Sequence, residues 1–147
     1  MKTCLMTLAT LTLTSAALAC PAQQGTLGNG LMPAIAGMRA ECGPNYQAFS
    51  KSLLSGGTLK GGWAEMYSLP MTTATDNQRF SAALQKMTST LTTKGYVYFS
   101  TSDVGSDRDA PRLLNFVNKK TKRVFSYLLV REGSRMTLAI AGTGAGK

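Results

Sequence analysis

Isolated carboxylates, a cysteine pair, a run of cations and two glycine-rich stretches are the residues whose types and spacing could do chemistry in this chain. Glu65 lies in an alternating apolar segment, while Asp103, Asp107 and Asp109 share one polar stretch. Two acids facing each other across a cleft could hydrolyse a glycosidic bond, and several converging acids could hold a divalent cation. The three aspartates lack the full EF-hand pattern and have Arg108 among them, so a solvated connector is the simpler reading. The chain contains no histidine. That excludes Ser-His-Asp and Cys-His catalysis, histidine-based ribonuclease chemistry and imidazole-zinc sites within one chain. There is also no C-x-x-C. No cofactor and no metal site is expected.

The cations are unevenly placed. Arg108, Arg112, Lys119, Lys120, Lys122, Arg123, Arg131 and Arg135 face only Asp109 and Glu132 in the same stretch. The tightest cluster, Lys119-Lys120-Thr121-Lys122-Arg123, follows Asn118 and separates two apolar runs, the pattern of a hairpin turn. Such lysines guard exposed strands against edge pairing, and they can equally contact an anion. Lys119, Lys120, Lys122 and Arg123 are therefore the candidate anion contacts. Tyr96, Tyr98, Phe99, Phe116, Phe125 and Tyr127 lie on strands beside these cations. A sheet face exposing Tyr96, Tyr98 and Tyr127 together would suit sugars or single-stranded nucleic acid; core packing accounts for the same residues otherwise.

Neither glycine-rich stretch meets the requirements of a phosphate loop. Residues 142–147 end in Gly-Lys, but Ala141 stands where the first glycine should be, no Ser or Thr follows, and no helix remains. Ser55 to Gly62 has no strand-loop-helix context and reads as a connector.

At the N-terminus, Lys2, an apolar stretch over residues 5–18 and the small-x-small triplet Ala17-Leu18-Ala19 have the form of an export signal. Cys20 follows directly, which opens two readings: ordinary cleavage, or lipidation of Cys20, although Ala17 and Leu18 depart from the usual lipoprotein pattern. Removal of residues 1–19 would leave Cys20 and Cys42, an even pair in an oxidising compartment. A disulfide between them would close a loop of about twenty residues and stabilise by roughly 3 kcal/mol in the loop-entropy model. Lipidation would instead leave Cys42 unpaired.

The remaining length suits one domain, and a 44% hydrophobic content suits a packed core. Residues 20–43, rich in Pro and Gly, are expected to form a flexible arm, residues 44–142 a single domain, and residues 143–147 a flexible tail. Tyr46, Phe49, Leu53 and Leu54 recur at helical spacing after Pro44, though Ser50, Ser52 and Ser55 suit a strand or loop as well. Trp63 to Leu69 alternates, with Trp63, Glu65, Tyr67 and Leu69 on one side. A helix follows, capped by Thr75 or Asp76, with Phe80, Ala83, Leu84, Met87 and Leu91 as its apolar stripe and Lys94-Gly95 as its stop. Tyr96 to Phe99, Leu113 to Asn118, Val124 to Arg131 and Met136 to Ala141 read as four further strands. Val124 to Arg131 is apolar on both faces and should be central or covered twice.

The order strand, helix, four strands predicts an α+β two-layer sandwich: one main helix on a mostly antiparallel sheet of about five strands, with an irregular N-terminal arm. The net charge of +9 suits contact with anionic envelope polymers or lipid headgroups. The expected function is a non-enzymatic binding or interaction module, exported to the periplasm, cell envelope or exterior, whose partner is an anionic envelope component or another exported protein. Nucleic acid finds no specific support, and membrane attachment would come only through a lipid on Cys20. A secreted carboxylate-dependent hydrolase using Glu65 or Asp103 to Asp109, and an inhibitor inserting the basic hairpin, are the alternatives.

Overall fold

A computed structural model describes residues 25–55, 59–103 and 111–143 of the chain. The proposed signal, Cys20, Asp107, Asp109 and the last four residues lie outside them. The elements are β1 (Thr26–Leu27), β2 (Met32–Pro33), β3 (Arg39–Ala40), α1 (Pro44–Leu54), β4 (Trp63–Pro70), α2 (Ala74–Thr93), β5 (Tyr96–Asp103), β6 (Arg112–Asn118), β7 (Arg123–Glu132) and β8 (Arg135–Gly142). Six strands form one antiparallel sheet in the order β3-β4-β8-β7-β6-β5, and β1 pairs with β2 alone. Among the described residues the fold is α+β, with α1 present beside the one main helix expected and six sheet strands rather than about five.

Helix α2 follows from its apolar stripe. Phe80, Met87 and Leu91 are buried against the sheet, with Ala83 and Leu84 packed beside them. The helix begins earlier than Thr75: Thr73 is the N-cap, accepting from the Asp76 N–H (3.1 Å), and the Asp76 carboxylate accepts in return from the Thr73 N–H (2.9 Å). This reciprocal box satisfies two donors that the first turn cannot bond internally, which is why it wins over a later start. At the other end Lys94 caps the helix and Gly95 takes φ +81, a left-handed conformation suited to glycine.

Strand β7 is central, paired on one side with β6 and on the other with β8. Phe125, Tyr127 and Leu129 meet the α2 layer, while Leu128 packs toward α1 with Tyr46, Phe49, Met66 and Ala139. Helix α1 therefore supplies the second cover over part of the sheet, and the Tyr46 hydroxyl donates to the Ala64 carbonyl (3.3 Å). Strand β4 lies between the two layers, buried from Ala64 through Leu69.

The arm expected over residues 20–43 is not irregular from Gly25 onward. Asn29 (φ +55) and Gly30 (φ +85) form a left-handed turn closed by the Leu31 N–H on the Gly28 carbonyl (3.2 Å), the geometry that joins two strands at right-handed twist. The hairpin so formed buries Leu27 and Met32, and Ile35 follows them into the core. Each such side chain contributes about 1.5–3 kcal/mol when fully removed from water, enough to hold a short segment against the sheet. Beyond it, β3 adds the sixth strand, where Glu41 accepts from Ser68 and pairs with Arg135.

Candidate ligand cleft

Three turns meet at one end of the sheet and enclose an open cleft of about 490 Å³, within the range of small-molecule sites. One wall is the β1–β2 turn, Gly28 to Leu31. A second comes from the end of α2, with Leu91, Lys94 and Tyr96. The third is the β6–β7 turn, which contributes Asn118, Thr121 and Arg123. Phe125, Trp63 and Thr143 complete the lining. The Trp63 and Tyr96 rings both stand edge-on to Phe125, with centroids 5.7 and 6.4 Å away.

Close backbone packing sets these rings in place. A Cβ on Gly142 would fall 2.6 Å from the Trp63 ring, and one on Gly28 would lie 3.2 Å from Phe125. Only glycine leaves room for both aromatics to press on the backbone.

Asn118 joins two of the walls. Its side-chain N–H donates to the Lys94 carbonyl (2.9 Å), while its Oδ1 accepts from the N–H groups of Lys120 (3.1 Å) and Thr121 (3.0 Å). The Lys122 N–H closes the turn on the Asn118 carbonyl (2.8 Å), with Lys122 left-handed at φ +59. The end of the main helix and the basic turn are thus fixed relative to each other, and Lys94 and Arg123 both line the cleft.

The remaining wall, the β1–β2 turn, is held by Glu65, which is 2% exposed. Its Oε2 accepts from the Gly28 N–H (2.8 Å) and the Tyr67 hydroxyl (2.8 Å), and its Oε1 from the Asn29 N–H (2.7 Å). Burial pushes the Glu65 carboxyl above the ordinary carboxylate range, against the opposing pull of these donors. The Tyr67 phenol is raised as well, by burial and by its bond to Glu65. That hydroxyl also lies 3.1 Å from the Thr26 carbonyl. Its one proton serves a single acceptor well; a protonated Glu65 donates to Tyr67 and frees that proton for Thr26.

Of the residues singled out in the sequence, Lys119, Lys120 and Lys122 are exposed on the β6–β7 turn and Arg123 enters the cleft lining. Glu65 is engaged as the clasp of the β1–β2 turn. Asp103 ends β5 opposite Arg112, so the acids proposed for hydrolysis are not brought together with Glu65 among the described residues. Cys42 lies between β3 and α1; its proposed partner Cys20 is outside the described residues. Tyr127 is 3% exposed beneath α2, within 3.5 Å of the Thr88 hydroxyl, so the sheet does not present Tyr96, Tyr98 and Tyr127 on one open face. Among the described residues no group of three or more acids or cysteines is placed to hold a metal, and no helix is long and apolar enough to cross a membrane.

Lys94, Asn118 and Trp63 line the cleft although their pattern in the sequence pointed to a helix stop, a turn and a strand; Tyr96 was already a candidate contact by its type and neighbours. Asn118 beside the lysines and the Lys94-Gly95 helix stop were visible signals, but their contact depends on strand register. No family model matches the chain, and no curated protein matches it.

Proposed function

We propose that the chain is an exported, non-enzymatic binding module that contacts an anionic component of the cell envelope through its basic end. The observation carrying this reading is the convergence on one cleft of Lys94 from the helix end and Arg123 from the basic turn, with Lys119, Lys120 and Lys122 exposed alongside. Cations from separate elements at the mouth of one cleft raise the local concentration of anionic partners, an effect that salt screens. Binding is favoured over catalysis because the cleft's polar groups are cations, amides and hydroxyls, and Glu65 is committed to backbone donors. The pairing of Cys42 with Cys20 is part of the same proposal, since it would anchor the start of the exported chain.

The test is cosedimentation of the purified protein with isolated cell-wall polymer at low and high salt. Reversing Lys119, Lys120, Lys122 and Arg123 to Glu should abolish a salt-sensitive association while leaving the circular dichroism spectrum unchanged. Binding that survives the reversal would sink the reading.

A further inference from the structure

We infer that the cleft is a subsite for a single acidic saccharide unit, a pyranose carrying a carboxylate or phosphate, within the anionic polymer. The inference rests on the binding-module reading and adds a ligand class to it. The volume of about 490 Å³, open to solvent, admits a sugar unit. Trp63 and Tyr96 are half-buried around Phe125, offering ring surface to the aliphatic C–H face of a pyranose; the C–H hydrogens carry partial positive charge and the ring faces partial negative. Lys94 and Arg123 supply charge-assisted donors for the acid group, and Asn118 is fixed between them by its three side-chain hydrogen bonds. A nucleobase is disfavoured, because the stacked pair that would make a flat platform, Phe116 and Tyr127, is buried in the core.

Trp63 is the single tryptophan of the chain, so its fluorescence reports on the cleft directly. The purified protein is titrated with a hexuronate trisaccharide, a sugar phosphate, a neutral trisaccharide and inorganic phosphate. Saturable change with the acidic sugars, weakened about fivefold by Lys94→Ala and by Arg123→Ala and more strongly by Tyr96→Ala, is the expected result. Comparison of the two acidic sugars tells carboxylate from phosphate. Silence with both acidic sugars overturns the inference, and if polymer still cosediments the module reading survives without it. An equal response to the neutral trisaccharide overturns the acidic class, and one to inorganic phosphate at the same affinity overturns the saccharide. Lys94 is exposed, so Lys94→Ala keeps the test decisive if Tyr96→Ala fails to fold.

Discussion

Replacing Glu65 with alanine tests the clasp that holds the N-terminal hairpin. The substitution removes the acceptor from three donors: the Gly28 N–H, the Asn29 N–H and the Tyr67 hydroxyl. A buried donor left without a partner costs about 1–3 kcal/mol. Tyr67 can turn to the Thr26 carbonyl and Asn29 is only part-buried, so the Gly28 N–H carries most of the penalty. Against this, the cost of burying a carboxyl group disappears. We expect a net loss of about 1–3 kcal/mol, which for a chain of this size lowers Tm by about 3–12 °C. Glu65→Gln keeps one acceptor and should lose about 1–2 kcal/mol. Urea and thermal unfolding give both values, and a Glu65→Ala variant within about 0.5 kcal/mol of the native protein would refute the clasp.

The same group makes a pH prediction with a definite sign. Because burial raises its pKa, folded Glu65 holds its proton above pH 4.5, where the unfolded residue has lost it. The folded state binds more protons in that window, so this contribution to stability falls as pH rises and levels off once the folded group ionises too. Glu65→Gln should flatten that slope. Asp76 acts on the other side: hydrogen bonds from Thr73 lower its pKa below 3.8, so its contribution is lost only as pH falls through that depressed value. A pH profile unchanged by Glu65→Gln would mean that Glu65 ionises alike in both states.

Gly142→Ala would place a methyl 2.6 Å from the Trp63 ring; overpacking of this kind costs about 1–3 kcal/mol, and a blue- or red-shifted Trp63 emission together with a lowered Tm is the expected signature. Asn118→Ala removes three hydrogen bonds that join the helix end to the basic turn, so it should cost about 2–4 kcal/mol and weaken acidic-sugar binding beyond any effect of Lys120→Ala; hydrogen exchange at Lys120 and Thr121 would show whether the turn has loosened.

How legible these features were depends on how far apart their parts lie in the chain. The α2 stripe and the strands from Trp63 onward could be read because one residue's neighbours in the pattern are three, four or two positions away. The β1–β2 hairpin could not be read by period, since its strands have two residues each. Its signal was the Asn29-Gly30 turn between Leu27 and Leu31, which glycine and proline content alone obscured. Alternation correctly put Glu65 on the side of Trp63, Tyr67 and Leu69, and that side faces inward. What alternation could not supply were its partners, the N–H groups 37 and 36 positions earlier.

The cleft follows the same logic. Its lysine-rich lip is visible in composition, whereas its shape is set by the Phe125 to Gly142 and Trp63 to Gly142 pairings and by the reach of Asn118 back to Lys94. A one-residue slip in either pairing would turn the aromatic set to the other face of the sheet and separate it from the cations. On the proposed binding reading, recognition at this end of the molecule would be a property of register: the residues proposed to contact a ligand and the residues that fix the register are largely different ones. Substitutions at Gly142 or Asn118 should accordingly change binding as much as substitutions at the cations themselves.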